Sequence, residues 1–130
     1  MIIDASVIVA ILRLEPEARL FLEAIEKSDH PCIAAPTYLE ACMVMSGSLG
    51  EQGQHDVDQL IATMNIEIVP FRAQAAKYAV GAFLRYGKSR KHKAQLNFGD
   101  CISYAMSKTE AMPLLFKGED FAHTDVERAL

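Results

Sequence analysis

Cysteine is scarce in this sequence, and what there is falls in no recognisable order. Cys32, Cys42 and Cys101 are odd in number, and no two of them stand in CxxC spacing. That excludes a disulfide framework and leaves no zinc signature, so the three read as reduced, buried small hydrophobes. The histidines are as dispersed: His30, His55, His92 and His123 form no HxxxH-type pair. Long apolar runs are missing too. Met1 to Leu12 is apolar, but it has no basic leader, carries Asp4 and is followed by Arg13 and Glu15. A secretory signal needs the reverse order of charge, and a membrane span needs roughly 20 apolar residues. The expected location is therefore the cytoplasm, with no membrane contact. No internal repeat, low-complexity tract or Pro/Gly-rich linker divides the chain. It reads as a single domain, 1–130, long enough to bury a core of its own.

What is present fits a globular protein: 51% of the residues are hydrophobic and 23% charged, outside the range of disordered chains. The net charge is −4, but its distribution is uneven. Arg85, Lys88, Arg90, Lys91 and Lys93 place five positive charges and no acid within nine residues, leaving −9 on the remainder. A local basic strip on an acidic body suits contact with a phosphate backbone. Taken alone, it is equally readable as a solvated lysine-rich loop.

Short β-like runs alternate with longer helical ones. Strands are expected at Met1–Asp4, Cys32–Ala35, Ile66–Val69 and Pro113–Phe116. Helices are expected at Ala5–Leu12, from Pro16 through Ile25, at Thr37–Gly47, Asp56–Asn65, Ala73–Tyr86 and Asp100–Ala111, with a short last one from about Asp120. Strands separated by helices imply an α/β fold, a three-layer α/β/α sandwich around a mainly parallel sheet of four or five strands. Ligands of such sheets bind beyond the carboxyl ends of the strands.

Carboxylates occur at that rim in unusual company. Asp4 is the only charged side chain between Met1 and Leu12, Glu40 the only one between His30 and Gly50, and Asp100 the only one between Ala94 and Ser107. An unpaired buried carboxylate is costly, so each needs a cation, strong hydrogen bonds or a raised pKa. No lysine or arginine lies nearby in sequence. Asp120 falls just past the fourth strand, in Leu115-Phe116-Lys117-Gly118-Glu119-Asp120-Phe121. Four acids converging on one rim repel unless divalent cations neutralise them, and all-oxygen ligation favours Mg²⁺ or Mn²⁺. Such metals suit phosphoryl transfer, and with the basic strip the substrate class is nucleic acid. Each acid also has a plainer reading: Asp4, Asp100 and Asp120 as helix N-caps, Glu40 as a solvent-facing helix residue. All of these must hold together to remove the site. Ser6 either supports the site or caps the first helix. Asn97 and Gly99 shape the turn before Asp100, and His92 accompanies the basic strip. Leu39, Met43, Val44 and Met45 read as core, with a partner-facing surface as the other possibility.

These residues also carry a resemblance. Asp4-Ala5-Ser6, then Pro-Thr-Tyr-Leu-Glu ending at Glu40, then Asn97-Phe98-Gly99-Asp100-Cys101, and Leu115 to Phe121 followed by Thr124-Asp125, together resemble the PIN-domain family in its VapC-like toxin form. The resemblance spans essentially the whole chain. It implies a Mg²⁺-dependent endoribonuclease toxin, homodimeric, held inactive by a VapB-like antitoxin and acting on structured RNA such as tRNA or ribosomal RNA. By it, Asp4, Glu40 and Asp100 are the main acidic metal-site residues and Asp120 the fourth, with a metal-activated water attacking the phosphodiester. Gly118 stands where many members carry Asp, so Glu119 and Asp125 compete with Asp120 for that role. Aspartate-nucleophile phosphatases would need a second Asp where Ser6 stands, and receiver domains a phosphorylatable Asp after the third strand, where Ile66 to Phe71 has none. The competing reading from a different class is a catalytically inert PIN-fold binding module that acts through a protein partner.

Overall fold

In the computed structural model, which describes residues 1–130, alternation along the strands sorts the core into two layers. Strand β1 (Ile2–Ile3) turns Ile3 to one face and Ile2 to the other. In β2 (Cys32–Ala34), Ile33 joins Ile3, while Cys32 and Ala34 join Ile2. This is the two-residue period of a strand buried on both faces. With β3 (Glu67–Val69) and β4 (Leu114–Leu115), the strands form one parallel sheet in the order β3-β2-β1-β4.

The face of Ile3, Ile33 and Leu115 is covered by α1 (Ala5–Leu12), α2 (Ala18–Glu26), α3 (Ala35–Leu49) and α4 (Glu51–Thr63). The face of Ile2, Cys32, Ala34 and Leu114 is covered by α5 (Ala73–Tyr86) and α6 (Phe98–Thr109). The result is the expected three-layer α/β/α arrangement.

Several boundaries differ from the sequence expectation, for local reasons. The strands are shorter at their ends, and Pro16 lies in the turn before α2 rather than inside it. Helix α3 begins two residues early because Pro36 is tolerated in a first turn, so β2 runs into α3 without a loop. In place of the glycine-bearing turn expected before Asp56, the break is confined to Gly50, at φ +60°, and α4 starts at Glu51. This places Gly53 inside α4, where a Cβ would lie 2.5 Å from Ser46 N and 2.6 Å from Met45 O. Only glycine permits that approach of α4 to α3.

The short last helix does not form. Residues from Gly118 onward make turns, and the chain then returns to the sheet edge. Leu114 N donates to Glu127 O at 2.8 Å, Ala129 N donates to Leu114 O at 3.0 Å, and Leu114 and Arg128 bridge in parallel. The backbone groups a helix would have used internally complete the edge of β4 instead. Of the four α3 residues that read as core in the sequence, Met45 is buried, but Leu39, Met43 and Val44 are exposed. No helix is long and apolar enough to cross a membrane.

Candidate active site

All four strands run the same way, so their carboxyl ends share one rim, and the acids gather there from distant parts of the chain. Asp4 follows β1 directly and caps α1, its Oδ2 accepting Ser6 N–H at 3.0 Å. The same oxygen accepts the Ser6 hydroxyl at 2.6 Å, and Oδ1 accepts the Ser103 hydroxyl at 2.6 Å. Ser6 Oγ in turn accepts Lys117 N–H at 3.0 Å, tying the loop after β4 to the Asp4 carboxylate. Ser6 thus orients Asp4 rather than capping the helix itself.

Asp100 is buried as the third residue of α6, not its cap. Asn97 is the cap: its Oδ1 accepts Asp100 N–H at 2.9 Å, and Asp100 Oδ2 accepts Asn97 N–H at 2.8 Å. This reciprocal capping box fixes the start of α6 and with it the Asp100 carboxyl. Burial pushes that carboxyl up to about 6; the Asn97 hydrogen bond and Lys88 oppose the rise, while Asp4 and Asp120 add to it.

Glu40 comes from the second turn of α3 and is half-buried. Its carboxyl is raised by burial first, then by the charges of Asp4 and Asp100. The position of the Glu40 carboxylate depends on Gly99, where a Cβ would stand 2.8 Å from both Cδ and Oε1 of Glu40. Gly99 lies in the first turn of α6, not in a preceding loop. Asp120 is exposed in the turn after β4, close enough to act on Asp100.

Asp125 lies elsewhere. Its Oδ1 accepts Tyr104 OH at 2.5 Å and Tyr86 OH at 3.3 Å, and its Oδ2 pairs with Lys108 at 3.1 Å. Tyr104 first, and then Lys108, hold it well below the usual carboxylate range, at about 2. Of the three residues weighed for the fourth acidic position, Asp120 is the one whose charge acts on Asp100.

None of Asp4, Glu40, Asp100 and Asp120 belongs to a salt bridge. Lysines do lie near: Lys117 is drawn away by Glu15 and Glu17, and Lys88 acts on Asp100 only at a distance. Burial and mutual repulsion raise Glu40 and Asp100, no basic side chain pairs with any of the four acids, and an all-oxygen donor set of this kind fits a hard divalent cation. Arg85, Lys88, Arg90, Lys91 and Lys93 are all exposed. Arg85 lies in the last turn of α5, and the loop carrying the other four is closed by Lys88 N–H to Leu96 O and Leu96 N–H to Tyr86 O, both 2.9 Å, and by His92 edge-on to Tyr86. Of the five, Lys88 is near enough for its charge to act on Asp100.

One participant escapes a reading of the sequence. The only signal for Ser103 is a small polar residue three positions after Asp100, on the same helical face. Phe98, between the Asn97 cap and Gly99, is 85% exposed.

Comparison with known proteins agrees with this arrangement. The PIN domain profile matches residues 1–127. Ribonuclease VapC30 of Mycobacterium tuberculosis is 41% identical over 126 residues, covering 97% of this chain and 95% of that protein. Ribonuclease VapC of Mycolicibacterium smegmatis is 42% identical over 126 residues, 97% of each. Among solved structures, Mycobacterium tuberculosis VapC20, described as a Sarcin-Ricin loop cleaving toxin, superposes with TM-score 0.75 over 96% of this chain and 95% of its own at 11% identity. VapBC2 of Rickettsia felis, solved with a promoter DNA fragment, superposes with TM-score 0.74 over 98% and 94% at 19% identity. A profile match over nearly the whole length, joined to relatives this similar, makes the chain a member of the PIN-domain family, on its VapC branch.

Proposed function

We propose that this protein is an endoribonuclease toxin of a toxin–antitoxin pair, dependent on Mg²⁺ or Mn²⁺ bound at the carboxylate rim. The observation that carries the reading is the convergence of Asp4, Glu40 and Asp100 from three elements with no basic partner. Asp4 and Asp100 would be the principal ligands, with Glu40 and Asp120 completing the set or holding water near it. When bound, the cation supplies Lewis-acid chemistry for phosphodiester hydrolysis. The chain's own residues do the rest. Ser6 and Ser103 hold the two oxygens of Asp4 and so fix the orientation of its carboxylate. Asn97 holds Asp100 in one rotamer.

Arg85, Lys88, Arg90, Lys91 and Lys93 bind the RNA backbone. Phe98, exposed two residues before Asp100, offers its ring to an unpaired base. Single-stranded loops of structured RNA, such as those of tRNA or ribosomal RNA, suit that combination. Relatives named as ribonucleases support RNA as the substrate class, and neighbours solved as toxin–antitoxin complexes support a VapB-like antitoxin as partner; the pair would act in the cytoplasm. The exposed apolar side chains of α3 and α5, Leu39, Met43, Val80 and Leu84, support the antitoxin contact and a homodimer.

The test is incubation of antitoxin-free protein with total RNA, with Mg²⁺ or with EDTA, beside Asp100→Asn. Discrete cleavage requiring both the cation and Asp100 supports the reading. Cleavage surviving both treatments places the active site elsewhere, and a folded protein that cuts no RNA acts through its partner instead.

A further inference from the structure

At the opposite end of the sheet, three donors of different chemistry meet. His30 precedes β2, Cys32 opens it, and Glu67 opens β3. One ligand atom from each lies within 4.8 Å of the other two. His30 Nε2 and Glu67 Oε2 are 2.6 Å apart, and the Cys32 thiol makes one long contact, to His30 O at 3.6 Å. We propose that His30, Cys32 and Glu67 form a second metal site, for a borderline divalent cation such as Zn²⁺, distinct in place and chemistry from the carboxylate rim.

The scaffold is fixed by the sheet. Cys32 and Glu67 are register partners on adjacent parallel strands, and Glu67 N donates to Pro31 O at 2.9 Å. Register partners put their side chains on the same face, so the thiol and carboxylate share a side without any loop to order. His30 arrives two residues before Cys32, its backbone carbonyl held by the Met1 amine at 2.9 Å. The linear sequence hides this set, because His30 and Glu67 are 37 residues apart and meet only through strand register.

The donor types choose the cation. One imidazole nitrogen, one sulfur and one carboxylate oxygen match Zn²⁺, whereas Mg²⁺ and Ca²⁺ select oxygen alone. Cys32 is buried, but the His30 and Glu67 side chains are 55% and 59% exposed, so the fourth tetrahedral position opens to water. On binding, the thiol proton leaves to solvent and sulfur binds as thiolate, with no change in oxidation state. The simpler account is an exposed hydrogen bond between His30 and Glu67, of the kind that contributes little at a protein surface. That account gives Cys32 no part, and the two accounts separate on sulfur. The bound cation would clamp β3, the edge strand, to β2.

Cobalt titration of the full chain tests this, because only thiolate ligation gives a sulfur-to-cobalt charge-transfer band in the near ultraviolet. One equivalent should produce the band, and an equivalent of Zn²⁺ should erase it where excess Mg²⁺ does not. Cys32→Ala and His30→Ala should each abolish it, Glu67→Gln should weaken cobalt binding at least tenfold, and Asp100→Asn should leave it intact. His30 is exposed, so His30→Ala keeps the fold even if Cys32→Ala does not. Zn²⁺ should also raise the Tm of Asp100→Asn protein, where the rim is impaired, and not that of the double variant with His30→Ala. Absence of a band at saturating cobalt overturns the site. So does a band that survives His30→Ala, or one that is lost in Cys101→Ala, since Cys101 adjoins Asp100. These readouts do not depend on ribonuclease activity.

Discussion

Ser103 donates its hydroxyl to Asp4 Oδ1 at 2.6 Å across 99 residues of sequence, joining α6 to the end of β1 inside the core. The Ser6 hydroxyl reaches the other oxygen at the same distance, so both oxygens of Asp4 are held. Ser103→Ala removes one of those holds and nothing else of size. Partners that orient metal-binding carboxylates are worth about 10–100-fold in metal affinity or activity. We expect Ser103→Ala to lower Mn²⁺ affinity, read by calorimetry, by a factor in that range while the circular dichroism spectrum is unchanged. An unaltered affinity would make the contact a packing feature only.

Gly99→Ala separates fold from function. The added methyl would meet the Glu40 carboxylate, the far end of a flexible side chain, so the clash is relieved by pushing that carboxylate aside. Within a helix, alanine is favoured over glycine by up to about 1 kcal/mol. Thermal stability should therefore be kept or slightly increased, while RNA cleavage falls to the level of Glu40→Gln. Retained cleavage would show that Glu40 is not needed in its present position.

How much of this is legible in the sequence follows from the range of the interactions. Asp4, Glu40 and Asp100 stand out because each is a lone charge in an apolar stretch, a local signal, and the helices expected at Ala5–Leu12 and Ala73–Tyr86 form with those bounds. Ser103 and Gly99 acquire their roles only when α6 meets β1 and α3, and no local pattern encodes that meeting. The expected last helix fails for a related reason. Asp120 resembles a cap, but the segment after it is held by Asp125 on Tyr104 and by the edge of β4, and these tertiary bonds outweigh local propensity.

Asp125 makes that anchorage sensitive to acid. Its carboxyl is held at about 2 by Tyr104 and Lys108, below the unfolded value of about 4. A carboxyl lowered on folding contributes stability that is fully present above the unfolded pKa and is lost as pH falls through the folded one. The window is therefore about pH 4 to 2. With nearly half of the side chain exposed, screening reduces the contribution to about 1 kcal/mol. Asp125→Asn should lower Tm at pH 7 and flatten its fall between pH 4 and 2. If the two chains show parallel Tm curves across that range, the pairing contributes nothing.

The basic strip and Phe98 should be separable by salt. Lys88, Arg90 and Lys91 are exposed on a loop closed at Leu96, so neutralising them leaves the fold intact. Binding to phosphates releases counterions, and the slope of log affinity against log salt falls by about 0.7–0.9 for each phosphate no longer neutralised. Replacing all three by glutamine in Asp100→Asn protein, which binds without cutting, should reduce the slope by about 2. Phe98→Ala in the same background removes stacking, not charge. It should weaken binding by about 1–3 kcal/mol at every salt concentration and leave the slope alone. If the triple variant keeps the parental slope, the strip does not hold RNA. If Phe98→Ala changes the dimer content in sedimentation and not the affinity for RNA, the ring belongs to a contact between copies of the chain.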